Sequence, residues 1–438
     1  MNPPLRDWKI DSKSEPMVRI GVVLEEDAIH SIELHPDAQF TVKVARAGHD
    51  AITVSLNGRP ADRAASWSHT PTQSTTPSKS DGILVKGIVA GRGFHWQKRV
   101  DQTLAGKIEI LPAANGLILV NELPLEWYLA GVITSEMSSK CPIEFLRAQC
   151  ITARSWLLAF TEPKHRHQPF DRCNDDCCQR YQGTGDLSKE AVEAVESTRG
   201  LCLVAEGAVV DANYSKSCGG VAEVPEHVWG VRKPGLGPLV DAPRGSTAEK
   251  FLPVTDQNIE EYLSGPWLRD TDVYCSDKVV EEKELGQYLG RVDETGHYFR
   301  WEVKYSRDEL RELLASKNHP ELKDLKQVLA LRVTNRGLSG RAMEIIFTVI
   351  DSSGTKKDVT VRDQYKIRQL LHKSFLFSSA FVVDTEGDSF TLRGAGWGHG
   401  AGLCQIGALG MSLRGISHDK IVLHYFPGAE LKKLYGST

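Results

Sequence analysis

Residues 123–160 read "LPLEWYLAGVITSEMSSKCPIEFLRAQCITARSWLLAF". Leu125, Tyr128, Leu129 and Val132 recur at the spacing of one helical face. The polar "SSK" then interrupts the pattern. Pro142 suits the first turn of a second helix, where a missing N–H costs nothing. In that second segment Leu146, Cys150, Ala153, Leu157 and Phe160 make one apolar stripe, and Arg147 and Arg154 share another face. The spacing predicts two consecutive helices joined by a short break, with Glu136 at the end of the first.

The flanks read differently. From residue 17 to about 120, "MVRIGVVLEE", "QFTVKVA", "AITVSLNG" and "GLILVNELPL" are short runs rich in Val, Ile and Thr, punctuated by Gly, Pro and Asp, as strands are. "SWSHTPTQSTTPSKSDG" is polar and reads as a loop. Beyond the helical pair, a polar helix "DLSKEAVEAVEST" precedes two strands, "GLCLVAEG" and "AVVDANYSKS". Residues 240–375 are mixed and locally charged, with helical "SRDELRELLAS" and "QYKIRQLLHK". The strands "AFVVDTEG" and "SFTLRGAG" follow, then a glycine-rich loop and the helical "QIGALGMSLRG". The expected class is α+β: a flexible N-terminus over 1–16, a β-rich region over 17–115, and a region over 116–438 that carries the chemistry, with 240–375 as an insert-like segment.

The chain has 438 residues, 41% of them hydrophobic, and a formal net charge of -4. No global basic field for nucleic acid results. No apolar run approaches the roughly 18 residues of a membrane-crossing helix. The N-terminal residues lack a basic region followed by an apolar stretch, so no secretory signal is expected in them. The cysteines number nine. An odd number over so long a chain does not suggest a disulfide scaffold.

Four places hold residues suited to chemistry. Glu136 ends an apolar helix beside a turn; a carboxyl group in a partly dry cleft is kept protonated and can act as a general acid. The competing reading is a surface glutamate. "RGAGWGHGAGLCQIGALGMSLRG", from Arg393, holds His399 and Gln405 among eight glycines. These allow either close approach of a ligand to main-chain N–H groups or a tight structural loop around a packed histidine. In "NYSKSCGGVAEVPEHVWG", Tyr214 and Lys216 alternate onto one strand face, facing either ligand or solvent. Finally, "HRHQPFDRCNDDCCQ" offers His167, Cys173, Cys177 and Cys178, with His165 as an alternate. Such a Cys₃His set suits tetrahedral zinc; disulfides and unligated thiols are the rivals.

In order along the chain, these motifs resemble the SpoIID/LytB family, named for stage II sporulation protein D and an amidase enhancer. The resemblance spans most of residues 110–435. It rests on "LPLEWYLAGVITSEMSSKCPIEFLRAQCITARSWLLA", "YSKSCGGVAEVPEHVWG", "YFRWEVKYSRDEL", "GAGWGHGAGLCQIGALGMSLRG" and "YFPGAEL". It implies a peptidoglycan lytic transglycosylase that cuts between N-acetylmuramic acid and N-acetylglucosamine, leaves a 1,6-anhydro end and prefers strands stripped of stem peptides.

By this resemblance Glu136 matches the catalytic glutamate, and Arg154 matches an arginine expected to bind a substrate carboxyl or amide. Tyr214 and Lys216 match a substrate-groove strand, with His399 and Gln405 along the groove wall. Some members hold zinc through His and Cys residues ending in "HCQ"; here "CCQ" stands in that place. The implied cofactor is a structural zinc held by His167, Cys173, Cys177 and Cys178. The implied partners are glycan strands and a cell-wall amidase, and the implied location is the cell envelope. "SEMSSKCP" replaces the family's usual "SEMP". Because the family includes enhancers of amidases, a non-catalytic glycan-binding role is the alternative.

Overall fold

The computed structural model describes residues 10–436 other than 38, 49–50, 61–65, 70–80, 94–96, 160–163 and 291–295. Most of the polar loop expected after Trp67, and most of the expected flexible N-terminus, lie outside the described residues. The class is α+β, with several small sheets and interspersed helices. The chain divides into two compact units: residues 1–203, 287–293 and 431–438 in one, residues 204–286 and 294–430 in the other. The division at Leu203/Val204 falls inside the stretch that the sequence reading treats as one region.

In the first unit the expected strands form at Met17–Val23, Phe40–Arg46, Ile52–Leu56 and Gly116–Pro124. Met17–Val23 and Gly116–Pro124 pair antiparallel, and Gly116–Pro124 pairs in turn with Gly106–Ala113. On the other edge of Met17–Val23, the short strand Arg172–Cys173 adds in parallel through Ile20 and Gly21. The cysteine loop is thereby stitched into the sheet that leads to the first helix. Leu24, Ile118, Val120, Phe170 and Cys173 form one buried cluster beneath it.

Helix α1, Leu125–Glu136, follows that sheet directly. All its residues are buried, where the spacing predicts a single apolar face. A helix buried all round must satisfy its polar side chains locally. Thr134 Oγ1 donates to the Ala130 and Gly131 carbonyls, and Ser135 Oγ donates to Gly131 O at 2.6 Å. Glu126 takes an ion pair, described below. The helix ends because Met137 is extended, forming an isolated bridge with Leu289, while Ser138 N–H donates to Tyr288 O. Pro142 stands just before α2, Ile143–Ala159, and its carbonyl accepts from the Phe145 and Leu146 amides. Helix α3, Lys189–Ser197, is capped by Ser188, whose side chain accepts from Ala191 N–H.

In the second unit, the strands Leu325–Arg336, Ala342–Asp351 and Lys356–Arg362 form an antiparallel sheet. Arg300–Ser306 pairs with Ser389–Ala395, which also pairs with Phe381–Glu386. Both sheets feed one core that includes Trp301, Leu310, Val328, Phe347, Phe381 and Phe390. The helix Arg307–Ser316 opens with a full capping box between Ser306 and Glu309. The expected strand "AVVDANYSKS" is instead two short pieces, Ala208–Val209 and Tyr214–Ser215.

Candidate functional site

Glu136 is 8% exposed at the last turn of α1. Its Oε1 accepts the Arg180 N–H at 3.0 Å. One residue before Glu136, Ser135 Oγ accepts the Gln182 N–H at 3.1 Å. The segment 179–182 therefore lies along the end of α1 and grips it through main-chain donors. Gln179 anchors this segment: its Oε1 accepts from Tyr128 Oη at 3.1 Å, and its Nε2 donates to Ala153 O at 3.2 Å. Tyr181 Oη donates to Asn121 Oδ1 at 2.8 Å. A carboxylate held by a main-chain amide keeps one oxygen fixed, which is the preorganisation a proton-transferring group requires.

The close fit depends on Gly131. A Cβ there would stand 2.6 Å from Tyr181 Cε2 and 2.8 Å from Gly183 O. Gly131→Ala is therefore expected to displace the 179–183 segment and loosen the Arg180–Glu136 contact. The mutant protein should be destabilised by about 1–3 kcal/mol, an overpacking cost, in chemical denaturation. An unchanged midpoint would mean the segment gives way freely.

A second carboxyl group lies near. Burial, with the negative charges of Glu136 and Asp175 adding to it, pushes Asp176 up to about 6 despite the opposing Arg180 guanidinium, its salt-bridge partner.

Arg154 is placed differently from the expectation. It is fully buried, and its Nε and Nη2 donate to the two carboxylate oxygens of Glu126 at 3.0 and 2.6 Å. Glu126 is equally buried and also accepts from Gly200 N–H and from Tyr435 Oη at 2.5 Å. Nη1 of Arg154 donates to Leu201 O at 3.0 Å. With the guanidinium sealed and its donors engaged, no substrate carboxyl or amide reaches it. Arg154 is an internal strut joining α1, α2 and the chain beyond α3.

The cysteine loop precedes Arg180 immediately. The ligand atoms of His165, Cys173, Cys177 and Cys178 all lie within 4.8 Å of one another. The histidine of this group is His165, whose ring packs 5.1 Å from Phe170. His167 is exposed and stands outside the group; two residues along a turn, it points elsewhere. Hydrogen bonds from Cys173, then Cys178, pull the Cys177 thiol far below its ordinary value, with His165 assisting, so a thiolate is favoured there. Thiolate, thiol and imidazole donors fit zinc. The Cys173 and Cys177 sulfurs are 2.9 Å apart, closer than the roughly 3.7 Å edge of a tetrahedral zinc–thiolate site, so they would spread slightly around an ion. None of the nine cysteines forms a disulfide.

The remaining expected site residues belong to the second unit. Tyr214 and Ser215 pair in parallel with Leu403 and Cys404. Tyr214 is half-buried and Lys216 is 9% exposed. The glycine-rich loop is packed against this segment. At Gly402, with φ +74°, a Cβ would stand 2.0 Å from Asn213 O. At Gly400, with φ +76°, it would meet the Arg341 guanidinium at 2.2 Å. These glycines permit approach of protein to protein, where a ligand was one of the two expectations.

His399 sits within that packing, half-buried against the edge of Trp229. Its Nδ1 accepts from Ala401 N–H at 3.1 Å, and it also bonds the Tyr214 main chain. Burial, then the positive charges of Arg341, Arg368 and Lys233, lower it to about 3. It is a neutral structural histidine with both ring nitrogens engaged, which leaves it no free donor for a substrate. Gln405 is 2% exposed at the first position of the helix Gln405–Leu413, so it too lies beneath the surface.

Sequence reasoning missed the 179–182 grip on Glu136. Nothing in its spacing marks it, apart from its position directly after "CCQ".

The model of the SpoIID family, described as stage II sporulation protein, matches residues 113–204. This stretch contains Glu136, Arg154 and the cysteine loop. A domain of unknown function, DUF8618, matches residues 227–402. An uncharacterized protein of Brachyspira hyodysenteriae is 27% identical over 74% of this chain and 71% of its own length. The stage II sporulation protein D of Bacillus subtilis is 22% identical over 72% of this chain and 76% of its own. The amidase enhancer of Bacillus subtilis is 24% identical over 69% of this chain, which spans only 40% of that longer protein. The SpoIID match over residues 113–204 and the similarity to proteins named stage II sporulation protein D and amidase enhancer together support membership of the SpoIID family.

Proposed function

We propose that this protein acts on the bacterial cell wall as a peptidoglycan lytic transglycosylase, with Glu136 as its general acid and base. The observation that carries the reading is Glu136 itself: a nearly buried carboxyl group at a helix end, one oxygen held by the Arg180 amide. Ordinary glycosidases use two carboxyl groups, one of them to activate water or attack the sugar. Transglycosylation needs one. Protonated Glu136 gives its proton to the glycosidic oxygen as the bond to the anomeric carbon of N-acetylmuramic acid breaks. The carboxylate then takes the proton of that sugar's own 6-hydroxyl, whose oxygen attacks the anomeric carbon. A 1,6-anhydro ring forms, the shortened glycan leaves with a free hydroxyl, no water is consumed, and Glu136 regains its proton. The intramolecular attack carries the advantage of proximity.

His165, Cys173, Cys177 and Cys178 would hold a zinc ion whose contribution is structural, since four protein ligands leave no open position. The ion would brace the loop that delivers Arg180 to Glu136. Cys177→Ser is expected to remove about one zinc per chain and lower Tm by roughly 2 °C or more, equivalent to about 2 kcal/mol in a protein of this size. Elemental analysis and thermal melts check this, and unchanged zinc in Cys177→Ser would remove the loop from the ligand set.

A second reading, a glycan-binding enhancer of a cell-wall amidase, draws on the similarity to a protein named amidase enhancer. One experiment separates the two. Purified protein is incubated with glycan strands stripped of stem peptides, and products are analysed by mass spectrometry. Anhydro-ended fragments support the enzyme. Their absence from the wild type, with amidase stimulation undiminished in Glu136→Gln, would leave the enhancer.

A further inference from the structure

The second unit contains another sulfur-rich cluster, assembled from four separated segments. Cys218 follows the strand Tyr214–Ser215, Asp241 follows Leu239–Val240, Cys275 lies in a turn, and Cys404 ends Leu403–Cys404 and caps the helix Gln405–Leu413. Their ligand atoms all lie within 4.8 Å of one another. None of the four is more than 2% exposed.

The distances decide between the ways of filling such a space. Cys218 Sγ and Cys275 Sγ are 3.7 Å apart, and Cys218 Sγ and Asp241 Oδ2 are 3.4 Å apart. A disulfide needs about 2.05 Å. Tetrahedral zinc, with bonds of about 2.3 Å to sulfur and about 2.0–2.2 Å to carboxylate oxygen, sets ligand edges of roughly 3.7 and 3.5 Å. The observed separations match the latter.

The surroundings also suit thiolates. Cys404 Sγ accepts N–H groups from Cys218 at 3.2 Å and Gly407 at 3.3 Å. Cys218 Sγ accepts the Gly220 N–H at 3.4 Å. Asp241 is oriented through its other oxygen, Oδ1, which accepts from Tyr425 Oη at 2.6 Å. That is the outer-shell support expected of a metal-binding carboxylate. His424 Nε2, buried and with no hydrogen-bond partner, stands 3.9 Å from the same Oδ1. The buried guanidinium of Arg300 interacts with Cys275 and Cys218, and that of Arg341 donates to Cys218 O at 3.4 Å, so positive charge offsets the excess negative charge of the ligands.

We propose that Cys218, Asp241, Cys275 and Cys404 bind a second zinc ion, as a closed structural site independent of the cysteine loop near Glu136. Four ligands exclude a substrate or water position. The ion would tie the start of Gln405–Leu413 to the Tyr214–Ser215 strand and to the chain around Asp241 and Cys275. The proposal does not depend on the transglycosylase reading.

The test uses the full chain, produced with zinc supplied and purified under reducing conditions. Elemental analysis of Cys404→Ser is expected to show one zinc fewer per chain than the wild type, whatever the first cluster holds. The triple variant Cys173→Ser, Cys177→Ser, Cys178→Ser is expected to retain one. Exchange of cobalt(II) into that triple variant should produce the intense near-ultraviolet thiolate charge-transfer band and visible bands of a tetrahedral sulfur site. Asp241→Ala in the triple background provides a second loss-of-metal variant that separates loss of the ion from any failure of Cys404→Ser to fold. Folded triple variant without zinc and without a cobalt spectrum overturns the proposal. So does peptide mapping that finds a disulfide among Cys218, Cys275 and Cys404.

Discussion

Glu136→Gln is expected to lower the release of anhydro-ended glycan fragments by about 10²–10⁴-fold, the usual worth of a positioned general acid–base. The substitution keeps the shape of the side chain, and a glutamine oxygen can still accept the Arg180 N–H that Glu136 accepts at 3.0 Å. Folding and melting temperature should therefore stay near those of the wild type. What is lost is the proton: an amide neither protonates the leaving oxygen nor takes the proton of the 6-hydroxyl. The combination of lost cleavage and retained stability is the discriminating result. Cleavage at the wild-type rate by Glu136→Gln would move the chemistry to another residue.

Arg154→Ala is expected to destabilise the protein by about 3–5 kcal/mol, the cost of leaving a buried charge without its partner. Glu126, with no exposed surface, would keep only the Gly200 amide and Tyr435 hydroxyl in place of a two-pronged ion pair. Arg154→Lys should recover part of the loss, since an ammonium restores charge but not the fork that meets both oxygens. Chemical denaturation measures both. A substrate-binding arginine would behave otherwise: a raised KM with an unshifted denaturation midpoint. That outcome would contradict the buried pairing.

Much of the local structure was legible in the residues. The 3–4 spacing from Leu125 to Val132 predicts α1, which forms as Leu125–Glu136. The runs "QFTVKVA" and "GLILVNELPL" become Phe40–Arg46 and Gly116–Pro124 within a residue of their limits. Here local periodicity and turn residues coincide with the global packing. Where they do not coincide, the reading fails in instructive ways. The 208–217 run has strand composition but breaks in two, because its second piece finds its partner at Leu403–Cys404, far along the chain. The glycines after Arg393 look suited to a ligand, yet two of them accommodate Asn213 and Arg341.

By itself, the sequence determined the class of each segment, the helix end that carries Glu136, and a cysteine-rich loop with metal-binding chemistry. These follow from short-range spacing, which is a property of the chain before it folds. Tertiary structure alone decided the partners. Arg154 meets Glu126 across 28 positions of sequence, His165 joins the cysteines in place of His167, and His399 is neutral among buried cations. Cys218 and Cys404 come within reach across 186 positions. Burial and long-range pairing set what each of these polar groups can do, because desolvation and a fixed neighbour outweigh the intrinsic chemistry of a side chain. No local pattern encodes which distant group will be that neighbour.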